Sequence, residues 1–244
     1  MNLTPYEIAR RGVEPLLPPL YGKVRKQLIR ELGPERTSKK LLDVGGRKSP
    51  YTIGLPARVT IIDLPRESEV QKELNLGVND QIVAKIKSRR SNVENVIFGD
   101  MTRSDIASEA FDMVVSVEVI EHVDDDERFV SEVSRVLVPG GKFIMTTPNG
   151  DFVKNTNPDH KRHYRREQLT ELLARHFADV NVEYAIAGGP HRARGLRSWE
   201  VRRPLQTLSS VLGNVVNSVQ STANEIGERP FNTHHLFAVA QKEK

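Results

Sequence analysis

Apolar positions along the chain fall into two alternating kinds of run. Short stretches rich in Val and Ile occupy Lys40–Val44, Arg58–Asp63, Val93–Phe98, Asp112–Val117, Lys142–Thr147, Asp179–Ala187 and Leu236–Gln241, with lengths and composition typical of strands. Between them, helical spacing predicts Leu20–Leu32, Asn79–Arg89, Asp125–Leu137, Arg166–His176 and Pro204–Asn224. This alternation predicts an α/β fold: a seven-stranded, mostly parallel sheet with helices on both faces. In such sheets ligands bind beyond the carboxyl ends of the strands, where the strand order reverses, so chemistry is expected in the loops after the strands.

The same pattern divides the chain, read as a single domain. Residues 1–38 form an N-terminal helical segment and 39–187 the core; 188–230 form a basic loop and helical cap, and 231–244 the last strand and tail. The length of Pro65–Asn92 predicts an additional helix within one crossover. Gly188-Gly189-Pro190 reads as a hinge into a mobile cap. The cap's Leu208, Val211, Leu212, Val215, Val216 and Val219 are expected to pack on the body of the protein or on a second copy in a homodimer.

Composition narrows the classes. A chain of 244 residues, 38% hydrophobic and 28% charged, suits one globular domain. No apolar run reaches the roughly 20 residues of a membrane span. MNLTPYEIARRG lacks a hydrophobic signal core, which predicts a cytoplasmic protein. Cys is absent, so disulfides, thiolate zinc sites and cysteine nucleophiles are excluded. The net charge of +4 hides two basic clusters, His160–Arg166 and His191–Arg203. Each reads either as a solvated face or as an attractor for an anionic ligand or nucleic acid.

Candidate chemistry begins at Leu41-Leu42-Asp43-Val44-Gly45-Gly46-Arg47-Lys48-Ser49-Pro50, where an apolar strand runs into an acid and a Gly pair. Glycine lets backbone approach a ligand where a side chain would block it. The G-x-G-x-x-G dinucleotide fingerprint fails, because Arg47 and Pro50 stand where later glycines would lie. The second and third strands also end on acids, Asp63 and Asp100, the latter followed by Met101. An acid at a strand tip can accept ribose hydroxyls or cap a turn; three successive strands ending this way favour the ligand reading.

The most specific stretch is Phe111-Asp112-Met113-Val114-Val115-Ser116-Val117-Glu118-Val119-Ile120-Glu121-His122-Val123, followed by Val136-Leu137-Val138-Pro139-Gly140-Gly141-Lys142. From Lys40 to Phe177 the chain resembles the type 11, small-molecule branch of class I S-adenosylmethionine-dependent methyltransferases, which have a Rossmann-like fold. The resemblance implies S-adenosylmethionine as cofactor. Asp43 and Gly45 would line its methionine end, Asp63 its ribose, and Asp100 with Met101 its adenine; Ser116 and Val117 would lie beside the sulfonium. The glycine loop departs from the family's G-x-G-x-G, since Arg47 and Ser49 replace two glycines. These two side chains are expected to hydrogen-bond the cofactor carboxylate instead.

Methylating an aliphatic hydroxyl needs a base, or a metal that stabilises the developing alkoxide. His122 is the candidate base and Glu121 its catalytic neighbour; a structural role for His122 within its loop stays open. Glu118, Glu121 and Asp159 are candidate ligands for a divalent cation such as Mg2+. Asp124–Asp126 read more simply as an acidic first helical turn. By resemblance, Glu118, Asp159, His160, His163 and Tyr164 contact the acceptor, although their loop can equally serve to anchor the helix from Arg166. Polar groups in that number favour a sugar or oligosaccharide hydroxyl. Alternatives are a lipid or quinone O-methyltransferase, an RNA methyltransferase (disfavoured, with no RNA-binding appendage) and a cofactor-binding module without turnover.

Overall fold

The computed structural model describes residues 2–35, 37–66, 77–197, 199–200, 202–223 and 226–244. Two N-terminal helices, α1 (Pro5–Gly12) and α2 (Pro19–Leu32), precede the sheet. Then follow β1 (Lys40–Val44), β2 (Arg58–Asp63), α3 (Asp80–Arg89), β3 (Val93–Phe98), β4 (Phe111–Val117), α4 (Asp126–Val136), β5 (Leu137–Pro148), α5 (Arg166–Ala174), β6 (Asp179–Ala187), α6 (Pro190–Gly195), α7 (Pro204–Ser221) and β7 (Thr233–Gln241). The strands form one sheet in the order β3-β2-β1-β4-β5-β7-β6, parallel except for β7, which runs antiparallel to β5 and β6. The order reverses between β1 and β4, which pair side by side. The expected Rossmann-like sheet is therefore present, with its crevice beyond β1 and β4.

Two apolar clusters sandwich the sheet. Leu20, Val24, Leu28 and Leu32 of α2 and Ile86 of α3 pack with Leu41, Ile61 and Val115 on one face. Phe129, Val130, Val133 and Val136 of α4 and Leu169, Leu172 and Leu173 of α5 pack with Leu42, Val114 and Phe143 on the other. Local signals set the helix ends. Asn79 caps α3 through the Ile82 amide at 3.0 Å, and Asp125 caps α4 through the Arg128 amide at 3.0 Å, which makes the Asp124–Asp126 run structural at its centre. Thr4 and Glu7 form a capping box on α1; buried Glu7 also accepts the Ser91 amide at 3.0 Å and its hydroxyl at 2.8 Å, fastening the N-terminus to the turn after α3.

Three expectations need adjustment. The extra helix anticipated within Pro65–Asn92 concerns residues 67–76, which lie outside the described residues. Strand β7 begins at Thr233 rather than Leu236, bringing His234 and His235 into the sheet. The 188–230 segment meets the body through polar groups while Leu208, Leu212 and Val219 are exposed: the Gly188 amide donates to the Asn232 carbonyl at 2.7 Å and the Asn214 side-chain amide to the Leu16 carbonyl at 2.9 Å.

Candidate active site

The loop after β1 is organised from beneath by Asp43, which is fully buried. Its Oδ1 lies 3.1 Å from Ser49 Oγ and 3.2 Å from Tyr51 OH, and its Oδ2 accepts Thr52 Oγ1 at 2.7 Å. Buried Arg90 donates to Thr52 Oγ1 at 2.6 Å, so the carboxylate has a cation one hydroxyl away. Burial still pushes the Asp43 carboxyl up to about 6, against the pull of Arg90 and the three hydroxyls. This corrects two expectations. Asp43 and Ser49 are spent inside the protein on each other and on Tyr51, so they shape the loop rather than meet the cofactor. Gly45 has φ +70°, and a Cβ there would lie 2.9 Å from Val119 Cγ2, so the loops after β1 and β4 touch.

Asp63 ends β2 half-buried, beside this loop. It accepts the Leu64 amide at 2.9 Å and also bonds the Arg47 amide, while burial raises its carboxyl. Asp100 is exposed but uses Oδ1 to hold the Thr102 amide at 2.8 Å and hydroxyl at 2.9 Å, the capping role left open above. Met101 is only 4% exposed and belongs to the core, which corrects its expected role as a cover on the adenine face.

The loop after β4 brings the reactive groups together. Ser116 is buried, Val117 half-buried, and Glu118 has φ +55°, a strained left-handed backbone for a residue with a side chain. Consecutive threonines on β5 sort the two carboxylates: Thr146 Oγ1 donates to Glu118 Oε1 at 2.9 Å, and Thr147 Oγ1 to Glu121 Oε2 at 3.1 Å. His235 Nδ1 lies 3.1 Å from Glu118 Oε1, and Arg192 Nη2 lies 3.3 Å from His235 Nε2. An arginine can only donate, so the neutral His235 carries its proton on Nδ1 and gives it to Glu118. Burial raises the Glu118 carboxyl, but His235, Thr146 and His234 outweigh it and the net direction is down. For Glu121, burial and then the Glu118 charge push the carboxyl well above the usual carboxylate range. Its Oε1 is buried with no hydrogen-bond partner.

A histidine chain adjoins Glu121. His163 Nδ1 donates to the Val153 carbonyl at 2.9 Å, leaving Nε2 to accept from His160 Nδ1 at 2.8 Å. His122 Nδ1 donates to the Asp159 carbonyl at 3.1 Å, and its ring meets His160 edge-on at 4.7 Å. In neutral rings these bonds assign the remaining lone pairs to Nε2 of both His122 and His160. Glu121, His122 and His160 each place a ligand atom within 4.8 Å of the others, the one such group among the described residues.

Two further expectations are corrected. Asp159 is exposed and contributes its backbone carbonyl to His122, so it is not part of that group, and neither is Glu118. Tyr164 is buried with its hydroxyl on Asp126 Oδ2 at 2.5 Å, fixing the loop rather than facing an acceptor. Sequence reasoning missed Arg90, Thr146, Arg192 and His235. Arg192 lay in a flagged basic cluster, and the His234-His235 pair was a visible signal left unused.

Residues 42–145 match the family model described as "Methyltransferase domain". Over these residues the chain is similar to that methyltransferase domain. A probable S-adenosylmethionine-dependent methyltransferase of Mycolicibacterium smegmatis is 35% identical over 137 residues, 54% of this chain and 51% of that protein. The human mitochondrial ubiquinone biosynthesis O-methyltransferase is 28% identical over 185 residues, 75% of this chain and 42% of that one. The chain thus spans about half the length of these relatives. In fold, the chain resembles a phosphoethanolamine N-methyltransferase 2 of Haemonchus contortus solved with S-adenosylhomocysteine, with TM-score 0.59 and 18% identity over 90% of this chain and 52% of that one.

Proposed function

We propose that this methyltransferase domain transfers the methyl group of S-adenosylmethionine to a hydroxyl of a small polar acceptor, a sugar or oligosaccharide, with a divalent cation held by Glu121, His122 and His160. The observation that carries the reading is that Glu121, with a buried and unpartnered Oε1, gathers within 4.8 Å of two imidazoles whose hydrogen bonds leave Nε2 lone pairs unspent. A buried carboxylate oxygen without a donor is costly unless something positive meets it. Two imidazole nitrogens and one carboxylate suit Mn2+, Co2+ or Zn2+ better than the Mg2+ anticipated from carboxylates alone.

The cofactor would lie over the loops after β1 and β2, with Asp63 on its ribose and its sulfonium beside Ser116 and Val117. A bound cation would lower the pKa of an acceptor hydroxyl. Glu118, held by Thr146 and His235, offers a carboxylate to receive that hydroxyl's hydrogen bond and aim the oxygen at the methyl group. His163 fixes the tautomer of His160, and the Asp159 carbonyl fixes that of His122. The polar rim of Glu118, His122, His160 and His163 supports a hydroxylated acceptor. A second reading, a lipid or quinone acceptor, is favoured by the ubiquinone O-methyltransferase relative and by exposed apolar side chains on α7.

Transfer of labelled methyl from S-adenosylmethionine to panels of sugars and quinols tests both, with and without chelator. The expected result is activity lost to chelation, restored by Mn2+, and absent in His160→Ala. Chelator-resistant activity that dies in His122→Ala would return His122 to the role of general base.

A further inference from the structure

Helix α7 is turned inside out. Its polar residues face the protein: Ser210 Oγ donates to the Gly195 carbonyl at 2.9 Å, Asn214 Nδ2 to the Leu16 carbonyl at 2.9 Å, and Asn217 Nδ2 to the Ala187 carbonyl at 2.7 Å. All three are at most 1% exposed. Gly213 completes this face, because a Cβ there would lie 2.8 Å from the His191 carbonyl oxygen. Its apolar residues face outward, Leu205 81% exposed, Leu208 55%, Leu212 57%, Val215 40%, Val216 37% and Val219 69%. At about 100° per residue these six fall on one side of the helix, opposite the buried amides. Rotating the helix to hide them would break three buried hydrogen bonds, so the outward stripe is fixed by the fold and offers a prepared surface.

We propose that this face docks on an anionic lipid surface, with α7 lying in the plane of the interface. Charge complementarity selects the occupant. From Pro190 to Ser221 the chain holds five Arg and a single acid, Glu200. Arg202 and Arg203 are exposed immediately before α7, at the N-terminal end of the stripe, and Arg194 and Arg197 are exposed on the neighbouring segment that packs on the inward face of α7. A second copy of the chain offers these arginines only one acidic partner within the same segment, whereas anionic headgroups offer many. An uncharged apolar face preceded by exposed arginines suits a helix that rests at the headgroup boundary. No described helix is long and apolar enough to cross the bilayer, which leaves surface docking as the mode. Arg192 of α6 bonds His235 behind Glu118, so the segment that holds α7 in place also touches the candidate site. The proposal holds whatever the acceptor is and does not rest on methyl transfer.

The test is sedimentation of the full chain with phosphatidylcholine vesicles, with and without phosphatidylglycerol, alongside light scattering for its mass in solution. The expected result is binding only where phosphatidylglycerol is present, released by salt. The double variant Leu208→Ser with Leu212→Ser should lower the partition at least about tenfold, since a deeply inserted leucine accounts for at least that factor. Arg197→Glu with Arg202→Glu should lower it at least about tenfold, at roughly fivefold per basic residue. All four positions are exposed, so circular dichroism and melting temperature should stay unchanged in both variants. Failure of the wild-type chain to sediment with anionic vesicles overturns the proposal. So does a wild-type dimer that the double leucine variant splits while neither protein binds vesicles.

Discussion

Asp43 places a full negative charge where no water reaches it, and replacing it with Asn should reveal what that charge costs. Its carboxyl titrates at about 6 rather than the ordinary 3.8. At about 1.4 kcal/mol per pH unit, that displacement corresponds to about 3 kcal/mol. The sign follows from proton binding. Between pH 4 and 6 the folded state holds this proton while the unfolded chain has released it, so stability falls as pH rises through that window and levels off above it. Asp43→Asn removes the titration and keeps an oxygen for Thr52. It also leaves buried Arg90 without a counter-charge at every pH, which only offsets the variant's curve; in the wild type the Arg90 attraction is already contained in the value of about 6. Urea denaturation of both proteins from about pH 4 to about pH 8, at constant ionic strength, isolates the difference. Wild type should lose about 3 kcal/mol more than Asp43→Asn across the window. A stability gap constant to within about 0.5 kcal/mol would refute the reasoning and mean that the hydroxyls and Arg90 solvate the carboxylate fully.

Two other substitutions separate ligand contacts from scaffold. Asp63→Ala should weaken binding of S-adenosylhomocysteine by about tenfold or more in calorimetry, the usual loss for hydrogen bonds to a charged group; unchanged affinity would move the ribose site elsewhere. Tyr164→Phe should lower stability by about 1 kcal/mol through loss of the Asp126 contact while leaving the acceptor KM alone; a raised KM at unchanged stability would return Tyr164 to the acceptor surface.

The sheet was legible in the sequence because buried parallel strands leave dense Val and Ile runs. Lys40–Val44, Arg58–Asp63, Val93–Phe98 and Asp179–Ala187 begin and end where the pattern predicts. The helices expected to begin at Asn79 and Asp125 do begin there, because both side chains cap them. The site was legible only in part. Strand-end acids mark a crevice, but whether each faces it depends on partners far along the chain. Nothing local to Asp43 says that Arg90 and Thr52 will enclose it. Glu121 and His122 were found from their motif, whereas His160 joined them through a loop crossing, with the Lys161 amide on the Glu121 carbonyl at 2.7 Å. Helix α7 misled for a different reason. Apolar spacing reports which residues share a face and is silent on whether that face is the hidden one.

The strand pairing at the far edge of the sheet has an evolutionary corollary. β6 and β7 are antiparallel neighbours, and Ala187 stands opposite Thr233, so the 45 residues from Gly188 to Asn232 leave and re-enter the sheet at one point. The interruption is topologically a decorated hairpin. Loop closure grows only logarithmically with length, so such a segment can lengthen, shrink or be exchanged at little thermodynamic cost to the strands that frame it. Because Arg192 reaches His235 from inside this excursion, exchanging it would also alter the hydrogen bonding around Glu118. One cassette, clipped in at adjacent ends, can thus be exchanged while the β3-β2-β1 half of the sheet keeps its pairing.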